Sequence, residues 1–553
     1  MNNALTDLVR AVFFDLPLYV TKSILSVFQK SREGKTVLRI WLVSAFLSVV
    51  IFFVVKKLET LGVLGRWWQD PKNIFPMIVA FYCFYILMMF PVLIPYQYLQ
   101  ETKLSGGKTD EKRYKFKSKE MLKARGKAKP PLVFLGKSMK SKKDLYLSYE
   151  MRKMHTHIVG STGSGKTDSI ILPLFAQDIE QGRGALVMDA KGDRETLNKI
   201  YHHVKRVGRE KDFLFFSLAY PEKSNTYNPL LRGNPTELKD KIISANIWTE
   251  EFYKKKSEET LLLLMKALKD QNEVVTFHKL YELLSDEKTL SALSQNLKDA
   301  HLKKAMRIIL TNYRVFQKDL SGMTADLGMI SESEFASILT SEKPEIDLLD
   351  AYLNKKIVYF QLNAQGYEET ARRFGRIILQ DLKTISNHIQ AYLTEDERDF
   401  FPVYIDEFSN FAYEQFVEFL NKARGAHLAI LIAHQSLGDL EKQGGHFLKQ
   451  VLENCNIKII MRQDDPTSVE TYSKISGTVK SIKDTYQTEE GIFHKDMTGL
   501  GSTREVDEFR IKPNIIRELA RGEAAVIIKQ PFITDLLQLD YIGQIPQGDF
   551  MKQ

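Results

Sequence analysis

The 553-residue sequence predicts an α/β fold in which a parallel sheet is interrupted by a long helical segment. Short apolar runs alternate with amphipathic helical stretches, the pattern of strands that helices bury on both faces. Between about residues 235 and 350 the alternation stops, and helical periodicity continues without convincing strands. A glycine-rich loop follows the first of these runs, which places a phosphate-bearing ligand at the carboxyl ends of the strands. The predicted parallel strands are 156–159, 185–188, 213–216, 357–362, 403–405 and 428–432, and residues 132–147 predict two further strands around a polar turn.

The glycine-rich loop reads GSTGSGKT and fits the G-x4-G-K-T pattern of a phosphate-binding loop. Its glycines allow backbone N–H groups to curl around phosphates, and the positive end of the following helix adds to the attraction. Lys166 is expected to reach the β- and γ-phosphates, and the Thr167 hydroxyl to ligate Mg²⁺. The weaker alternative is a glycine- and serine-rich loop without a ligand. The predicted nucleotide site comprises Gly160, Ser161, Thr162, Gly163, Ser164, Gly165, Lys166 and Thr167.

An acid pair ends a later apolar strand, in FFPVYIDEF at residues 400–408. Asp406 is in position to hold Mg²⁺, directly or through water, and Glu407 to polarise the attacking water. Strand ends also carry exposed acids that have no such role. The presence of a complete phosphate loop in the same chain favours the catalytic interpretation.

Two further residues follow the acid pair along the chain. Arg424 is a candidate to reach the γ-phosphate of a neighbouring subunit, and Gln435 to sense loss of the γ-phosphate in its own site. The alternatives are a solvated helix end for Arg424 and a plain strand-terminal polar residue for Gln435.

Other polar residues near the predicted strand ends carry weaker signals. Asp189 and Lys191 are expected to face either the nucleotide or the path of a substrate. Four histidines have no metal-ligand partners at convincing spacing and are interpreted as structural residues. They are His155, His157, His427 and His434.

The N-terminal region predicts a membrane anchor. Residues 37–55 and 74–94 are apolar over lengths that suit helices crossing a bilayer. Five Lys and Arg side chains precede the first span and a basic cluster at 103–143 follows the second, whereas only four lie between the spans. The positive-inside rule therefore places both the N-terminus and everything after residue 95 in the cytoplasm.

The net charge of +9 is concentrated beside the predicted membrane segment. Residues 103–143 contain 15 basic and three acidic side chains, a local excess of 12, so the remainder carries 9 − 12 = −3. This segment suits contact with anionic lipid, with nucleic acid as the alternative. Basic composition is thus not evidence that the remainder of the chain binds nucleic acid. The cysteines, Cys83 and Cys455, are too few for a disulfide framework and suit a reducing compartment.

Taken together, these motifs resemble the type IV secretion coupling proteins of the TraG/TraD-like conjugation ATPase family. The resemblance covers nearly the whole chain and includes the two spans and the helical insert. Its most particular element is the Asn-Pro-Leu triplet between the phosphate loop and that insert. The matching segments are HTHIVGSTGSGKT at 155–167, VMDAKGD at 187–193, TYNPL at 226–230, YIDEF at 404–408, the pair Arg424 and Gln435, and LARGEAAVII at 519–528.

The resemblance implies a RecA-like P-loop ATPase domain with an inserted all-α domain, preceded by a two-helix transmembrane domain. It implies ATP and Mg²⁺ as ligands, and a hexameric motor in the inner membrane with its ATPase domain in the cytoplasm. Catalytic roles are implied for Lys166, Glu407, Arg424 and Gln435, and metal binding for Thr167 and Asp406. The expected divisions are a cytoplasmic segment at 1–36, two transmembrane helices with a periplasmic loop at 37–95, a basic linker at 96–131, nucleotide-binding parts at 132–234 and 351–553, and an all-α domain at 235–350.

The expected partners are single-stranded DNA carrying a relaxase, accessory proteins, and components of the type IV secretion channel. One alternative is a receptor for exported effector proteins whose nucleotide binding is regulatory. Another is an FtsK-like DNA translocase, which usually has more membrane spans and a DNA-reading C-terminal module.

Overall fold

The computed structural model describes residues 118–490, 495–542 and 550. The two expected membrane spans and residues 96–117 of the expected basic linker lie outside these ranges. Among the described residues, no helix is both long and apolar enough to cross a bilayer.

Within the described ranges, eleven strands form one sheet in the order β2-β1-β13-β12-β9-β3-β8-β7-β4-β6-β5. The strands from β9 to β5 in this order pair in parallel, and the remaining pairings are antiparallel. Two further strands, β10 and β11, form a separate antiparallel hairpin. The strand bounds are β1 Leu132–Ser138, β2 Asp144–Ser148, β3 Thr156–Val159, β4 Ala185–Asp189, β5 Phe213–Ser217, β6 Ile357–Gln361, β7 Phe401–Asp406, β8 Leu428–His434, β9 Ile457–Ile460, β10 Thr478–Glu490, β11 Lys495–Phe509, β12 Glu523–Ile528 and β13 Ile533–Leu539.

The helices explain why the parallel strands are apolar throughout. Every residue of β3, β4, β6, β7 and β8 is buried, because helices cover both faces of the sheet. The α-helices of the described residues are α1 Ser118–Arg125, α2 Tyr149–Lys153, α3 Leu172–Glu180, α4 Arg194–Arg206, α5 Pro235–Ala245, α6 Glu251–Asp270, α7 Phe277–Ser285, α8 Glu287–Asn296, α9 Ala300–Thr311, α10 Tyr313–Asp319, α11 Ser321–Ser331, α12 Ala336–Leu339, α13 Leu348–Leu353, α14 Glu368–Tyr392, α15 Phe416–Ala423, α16 Leu437–Glu441, α17 Gly445–Asn454, α18 Pro466–Ile475 and α19 Pro513–Arg517.

The predicted parallel strands are all present, and α5 to α13 occupy the helical interval between β5 and β6. The α/β fold with a large, mostly parallel sheet is therefore confirmed. The sequence did not predict that β12, β13 and β1 extend this sheet by antiparallel pairing beyond β9. The helical interval shares one hydrophobic core with a face of the sheet, since Leu264 and Phe360 belong to the same buried cluster.

The TYNPL segment fastens the helical interval to the sheet. Tyr227 donates a hydrogen bond to Asp381 Oδ2 at 2.7 Å, and Lys241 Nζ lies 2.7 Å from Asp381 Oδ1. The same ammonium donates to Pro229 O at 2.8 Å, and Asn228 Nδ2 donates to Val275 O at 3.0 Å. This buried polar network links the segment after β5 with α5 and α14 and gives TYNPL a structural role.

Candidate nucleotide-hydrolysis site

The predicted site residues other than Arg424 gather at the carboxyl ends of four adjacent strands. The phosphate loop follows β3, Gln435 follows β8, Asp406 ends β7 and Asp189 ends β4, and these strands lie side by side in the order β3-β8-β7-β4. Parallel strands end at one edge of a sheet, so residues distant along the chain meet there.

The phosphate loop has the backbone geometry of an anion cradle. Gly163 and Gly165 have φ values of 78° and 97°, which glycine adopts without strain. A Cβ on Gly160 would lie 2.5 Å from Ser164 Oγ and 2.9 Å from Met461 Cβ, so that position has no room for a side chain. The Ser164 hydroxyl is buried without a hydrogen-bond partner in the described structure. The loop thus offers close backbone approach and an unused hydroxyl, which fit a bound phosphate.

Lys166 lies inside this cradle. Its side chain is buried, and its ammonium group donates to Gly160 O at 2.8 Å. Burial lowers the pKa of Lys166, while the charges of Glu407 and Asp406 oppose that shift. A buried cation with one carbonyl partner is suited to exchange that partner for phosphate oxygens.

Thr167 and Asp406 form the metal-binding half of the site. The Thr167 hydroxyl donates to Asp406 Oδ2 at 2.7 Å across 239 residues of sequence. Burial raises the pKa of Asp406, and the Thr167 hydrogen bond opposes that shift. One carboxylate and one hydroxyl at this separation fit Mg²⁺, which takes few protein ligands and otherwise uses phosphate oxygens and water.

Glu407 lies in a constrained turn directly after β7. Its backbone is left-handed, with φ 50° and ψ 48°, and Asn410 N donates to its carbonyl oxygen at 3.0 Å. On the side chain, Gln435 Nε2 donates to Oε2 at 3.3 Å, and Lys191 Nζ lies 2.9 Å from Oε1. The expected general base is therefore held by groups from the ends of both neighbouring strands.

Gln435 connects the phosphate loop to that acid. The Thr162 hydroxyl donates to Gln435 Oε1 at 3.1 Å, while the amide nitrogen of Gln435 contacts Glu407. A γ-phosphate bound in the loop would lie beside this bridge. The position suits the predicted role of Gln435 as a γ-phosphate sensor.

Asp189 faces the acid pair. In the parallel register of β4 and β7 it lies directly opposite Asp406. It accepts hydrogen bonds from the Tyr359 hydroxyl at 2.7 Å and from Lys191 N at 2.8 Å. Burial, with the charge of Asp406, raises the pKa of Asp189 to about 6. Of the two orientations that the sequence leaves open, the structure places Asp189 toward the nucleotide side.

Arg424 lies at the other edge of the sheet. It precedes β8 and lines a cavity of about 310 Å³ beside His155, Asn456 and Lys529, which flank the starts of β3 and β9 and the end of β12. The length of β8, roughly 20 Å at 3.3 Å per residue, separates it from Gln435. Arg424 therefore lies outside the nucleotide site formed by its own chain.

The predicted structural histidines have hydrogen-bond partners. Burial lowers the pKa of His434 to about 4, so its ring is neutral at pH 7. The neutral ring donates from Nδ1 to Ser436 O and accepts at Nε2 from the second buried histidine. The contacts are His157 Nε2 to His434 Nε2 at 2.5 Å, His434 Nδ1 to Ser436 O at 2.7 Å, His155 Nε2 to Leu420 O at 2.7 Å and His427 Nδ1 to Arg398 O at 2.9 Å.

A charged cluster behind the phosphate loop was not predicted. Asp168 follows Thr167 and pairs with Lys199 Nζ at 2.8 Å and with Arg521 Nη2 at 3.1 Å. A Cβ on Gly165 would lie 3.4 Å from Arg521 Cγ, so this arginine rests against the loop. The only signal in the sequence is the position of Arg521 within LARGEAAVII, 353 residues from Asp168.

Comparisons with known proteins agree with these observations. A family model described as the TraM recognition site of TraD and TraG matches residues 401–519, which include the acid pair, Arg424 and Gln435. The curated type 4 coupling protein DotL of Legionella pneumophila is 23% identical over 464 residues. That match covers 73% of this chain and 59% of DotL, so the chain spans less than two thirds of the length of that relative.

Solved structures show the same fold at low sequence identity. The unbound conjugative coupling protein TrwB without its N-terminal 70 residues has a TM-score of 0.53 and 15% identity, and the match covers 79% of this chain and 93% of that one. TrwB in complex with ADP and Mg²⁺ has a TM-score of 0.50 and 14% identity, with coverages of 73% and 88%. The family model, the curated relative and this shared fold agree, and the chain is similar to the type IV secretion coupling proteins, as its motifs indicate.

Proposed function

We propose that this chain is an ATP-hydrolysing coupling protein that recruits a substrate at the inner membrane and pumps it into a type IV secretion channel. The observation that carries the proposal is the meeting of the phosphate loop, the Thr167–Asp406 contact and the Glu407–Gln435 contact at one sheet edge. A phosphate loop alone serves nucleotide binding. An acid pair beside it adds a metal ligand and a base for water, which are the parts that hydrolysis needs.

Each residue has a separate task in this chemistry. Lys166 would exchange Gly160 O for the β- and γ-phosphate oxygens, and Thr167 and Asp406 would hold Mg²⁺. When bound, the metal neutralises charge that develops on the phosphates. Glu407 orients the attacking water and accepts its proton, and Gln435 detects whether the γ-phosphate is present.

Two substitutions test this function in the full-length protein. Lys166→Ala should abolish ATP binding, ATP turnover and substrate transfer. Glu407→Gln should keep ATP binding but lower kcat by about a hundredfold or more, because it removes the base alone. Glu441→Gln, an exposed acid in α16, is the matched control. Undiminished substrate transfer by the Lys166 variant would refute the proposal that ATP hydrolysis drives transport.

We further propose that the active form is a ring, for which the resemblance suggests a hexamer, and that Arg424 acts on the neighbouring subunit. The support is that Arg424 lies away from its own phosphate loop. Arg424→Ala and Lys166→Ala should each be inactive alone. Mixed together they should regain activity, because the first supplies an intact phosphate loop and the second an intact arginine. Absence of any recovery in mixed oligomers of demonstrated composition would contradict this role.

The proposed cargo is relaxase-bound single-stranded DNA. The coupling-protein relatives support a cargo-recruiting role, and the family model's description supports an accessory partner of the TraM kind. Crosslinking of the Glu407→Gln variant in cells should capture single-stranded DNA together with a relaxase. Capture of effector proteins without DNA would favour the receptor for protein export. The predicted cytoplasmic position of the ATPase region is testable with reporter fusions on either side of residues 37–95.

A further inference from the structure

Lys191 contacts the proposed general base, although the hydrolysis scheme above gives it no task. It lies two residues beyond β4, and β4 pairs in parallel with β7 so that Asp189 is opposite Asp406. The residues that follow the two strands therefore leave the sheet side by side. Lys191 Nζ comes within 2.9 Å of Glu407 Oε1.

The two side chains of the Lys191–Glu407 contact differ in burial. The Glu407 side chain is 6% exposed, whereas that of Lys191 is 44% exposed. Glu407 also has a left-handed backbone, which limits where its carboxylate points. One carboxylate oxygen faces Gln435 and the other faces Lys191. The acid is buried in a set position, and the lysine reaches it from the solvent side.

The loop that carries Lys191 is attached to the segment that follows β6. Ala364 N, just after β6, donates to Ala190 O at 2.7 Å. A Cβ on Gly192 would lie 3.0 Å from Asn363 Cβ, so these two segments are closely packed. A displacement of residues 190–193 with 363–364 would therefore carry Lys191 away from Glu407.

We propose that Lys191 is a positioning residue that restrains Glu407, so that ATP hydrolysis stays slow until the 190–193 loop is displaced. The ammonium group holds the carboxylate in its present orientation, so release of this contact frees Glu407 to turn toward the attacking water. The restraint rests on the proposed ATPase function and adds to it a point of control, because whatever displaces this loop sets the hydrolysis rate. The two residues of this contact follow β4 and β7, and the parallel register of these strands brings them together.

The test is Lys191→Met in the full-length protein, which removes the charge and keeps the aliphatic stem. Basal kcat should rise about fivefold, equivalent to about 1 kcal/mol at 1.36 kcal/mol per tenfold change and within the range of a partly exposed ion pair. The Kd for a fluorescent ATP analogue should not change. Lys191→Arg keeps the positive charge and should restore most of the restraint. Lys205→Met, an exposed lysine in α4, is the matched control.

The outcomes separate this inference from the proposed function. A Lys191→Met variant with equal or lower kcat would overturn the restraint, as would a raised rate that persists in Lys191→Met/Glu407→Gln. A raised rate that the Glu407 substitution abolishes would support it. If the unmodified protein and its Glu407→Gln variant hydrolyse ATP equally, the proposed function itself fails.

Discussion

Asp381→Ala provides a sharp test of how the helical interval is held on the sheet. The Lys241 side chain is 1% exposed and that of Asp381 is 6% exposed, with Nζ and Oδ1 2.7 Å apart. The variant would leave a buried ammonium group with the carbonyls of Pro229 and Arg232 as its remaining partners. Breaking a buried pair in this way costs about 3–5 kcal/mol. At roughly 2 °C per kcal/mol for a large domain, the melting temperature should fall by about 6–10 °C.

The assay is thermal unfolding of the full-length protein without nucleotide, followed by intrinsic fluorescence. Glu418→Ala is the control. It removes the exposed partner of Lys383, which lies on α14 as Asp381 does, and the loss of this pair should cost at most about 1 kcal/mol. Lys241→Met/Asp381→Leu with Tyr227→Phe should recover much of the loss, since it removes Asp381 together with the two side chains that donate to it. Equal melting temperatures for Asp381→Ala and Glu418→Ala would refute the reasoning.

Two further predictions follow from burial. The pKa of His434 is lowered to about 4 by burial, so between pH 6.5 and 4 the unfolded chain binds more protons at this residue than the folded one. Its contribution to stability should fall as pH drops through that window, by roughly 3 kcal/mol at pH 4. His434→Gln should flatten the plot of stability against pH and the exposed His446→Gln should not; identical slopes would contradict the assignment. Gly160→Ala should weaken nucleotide binding, because its Cβ would lie 2.9 Å from Met461 Cβ, which cannot rotate away, and 2.5 Å from Ser164 Oγ, whereas Gly322→Ala, with nothing within 4 Å, should leave binding intact. Calorimetric titration with ATP measures the affinity of both variants, and an unchanged affinity in the Gly160 variant would contradict the prediction.

Much of the fold was predictable because buried parallel strands have a strong local signature. The apolar runs of β3, β4 and β6 to β8 needed only hydrophobicity and spacing. The phosphate loop and the acids Asp406 and Glu407 were predictable for a similar reason, since their chemistry requires fixed residue types at strand ends. The antiparallel pairing of β1 with β13 was not predictable, because pairing between strands that lie far apart in the sequence leaves no mark on local periodicity.

The sequence by itself determined the ingredients of the site: a phosphate loop, an acid pair and two candidate catalytic residues at strand boundaries. Tertiary structure alone decided how they combine. Sheet order places β8 between β3 and β7, so Gln435 bridges Thr162 and Glu407, whereas Arg424 lies at the far edge of the same sheet. The register of β4 against β7 then brings Lys191 onto Glu407. Local residue patterns encode strands and turns, but strand order and register depend on packing across the whole sheet, and they decide which charges meet.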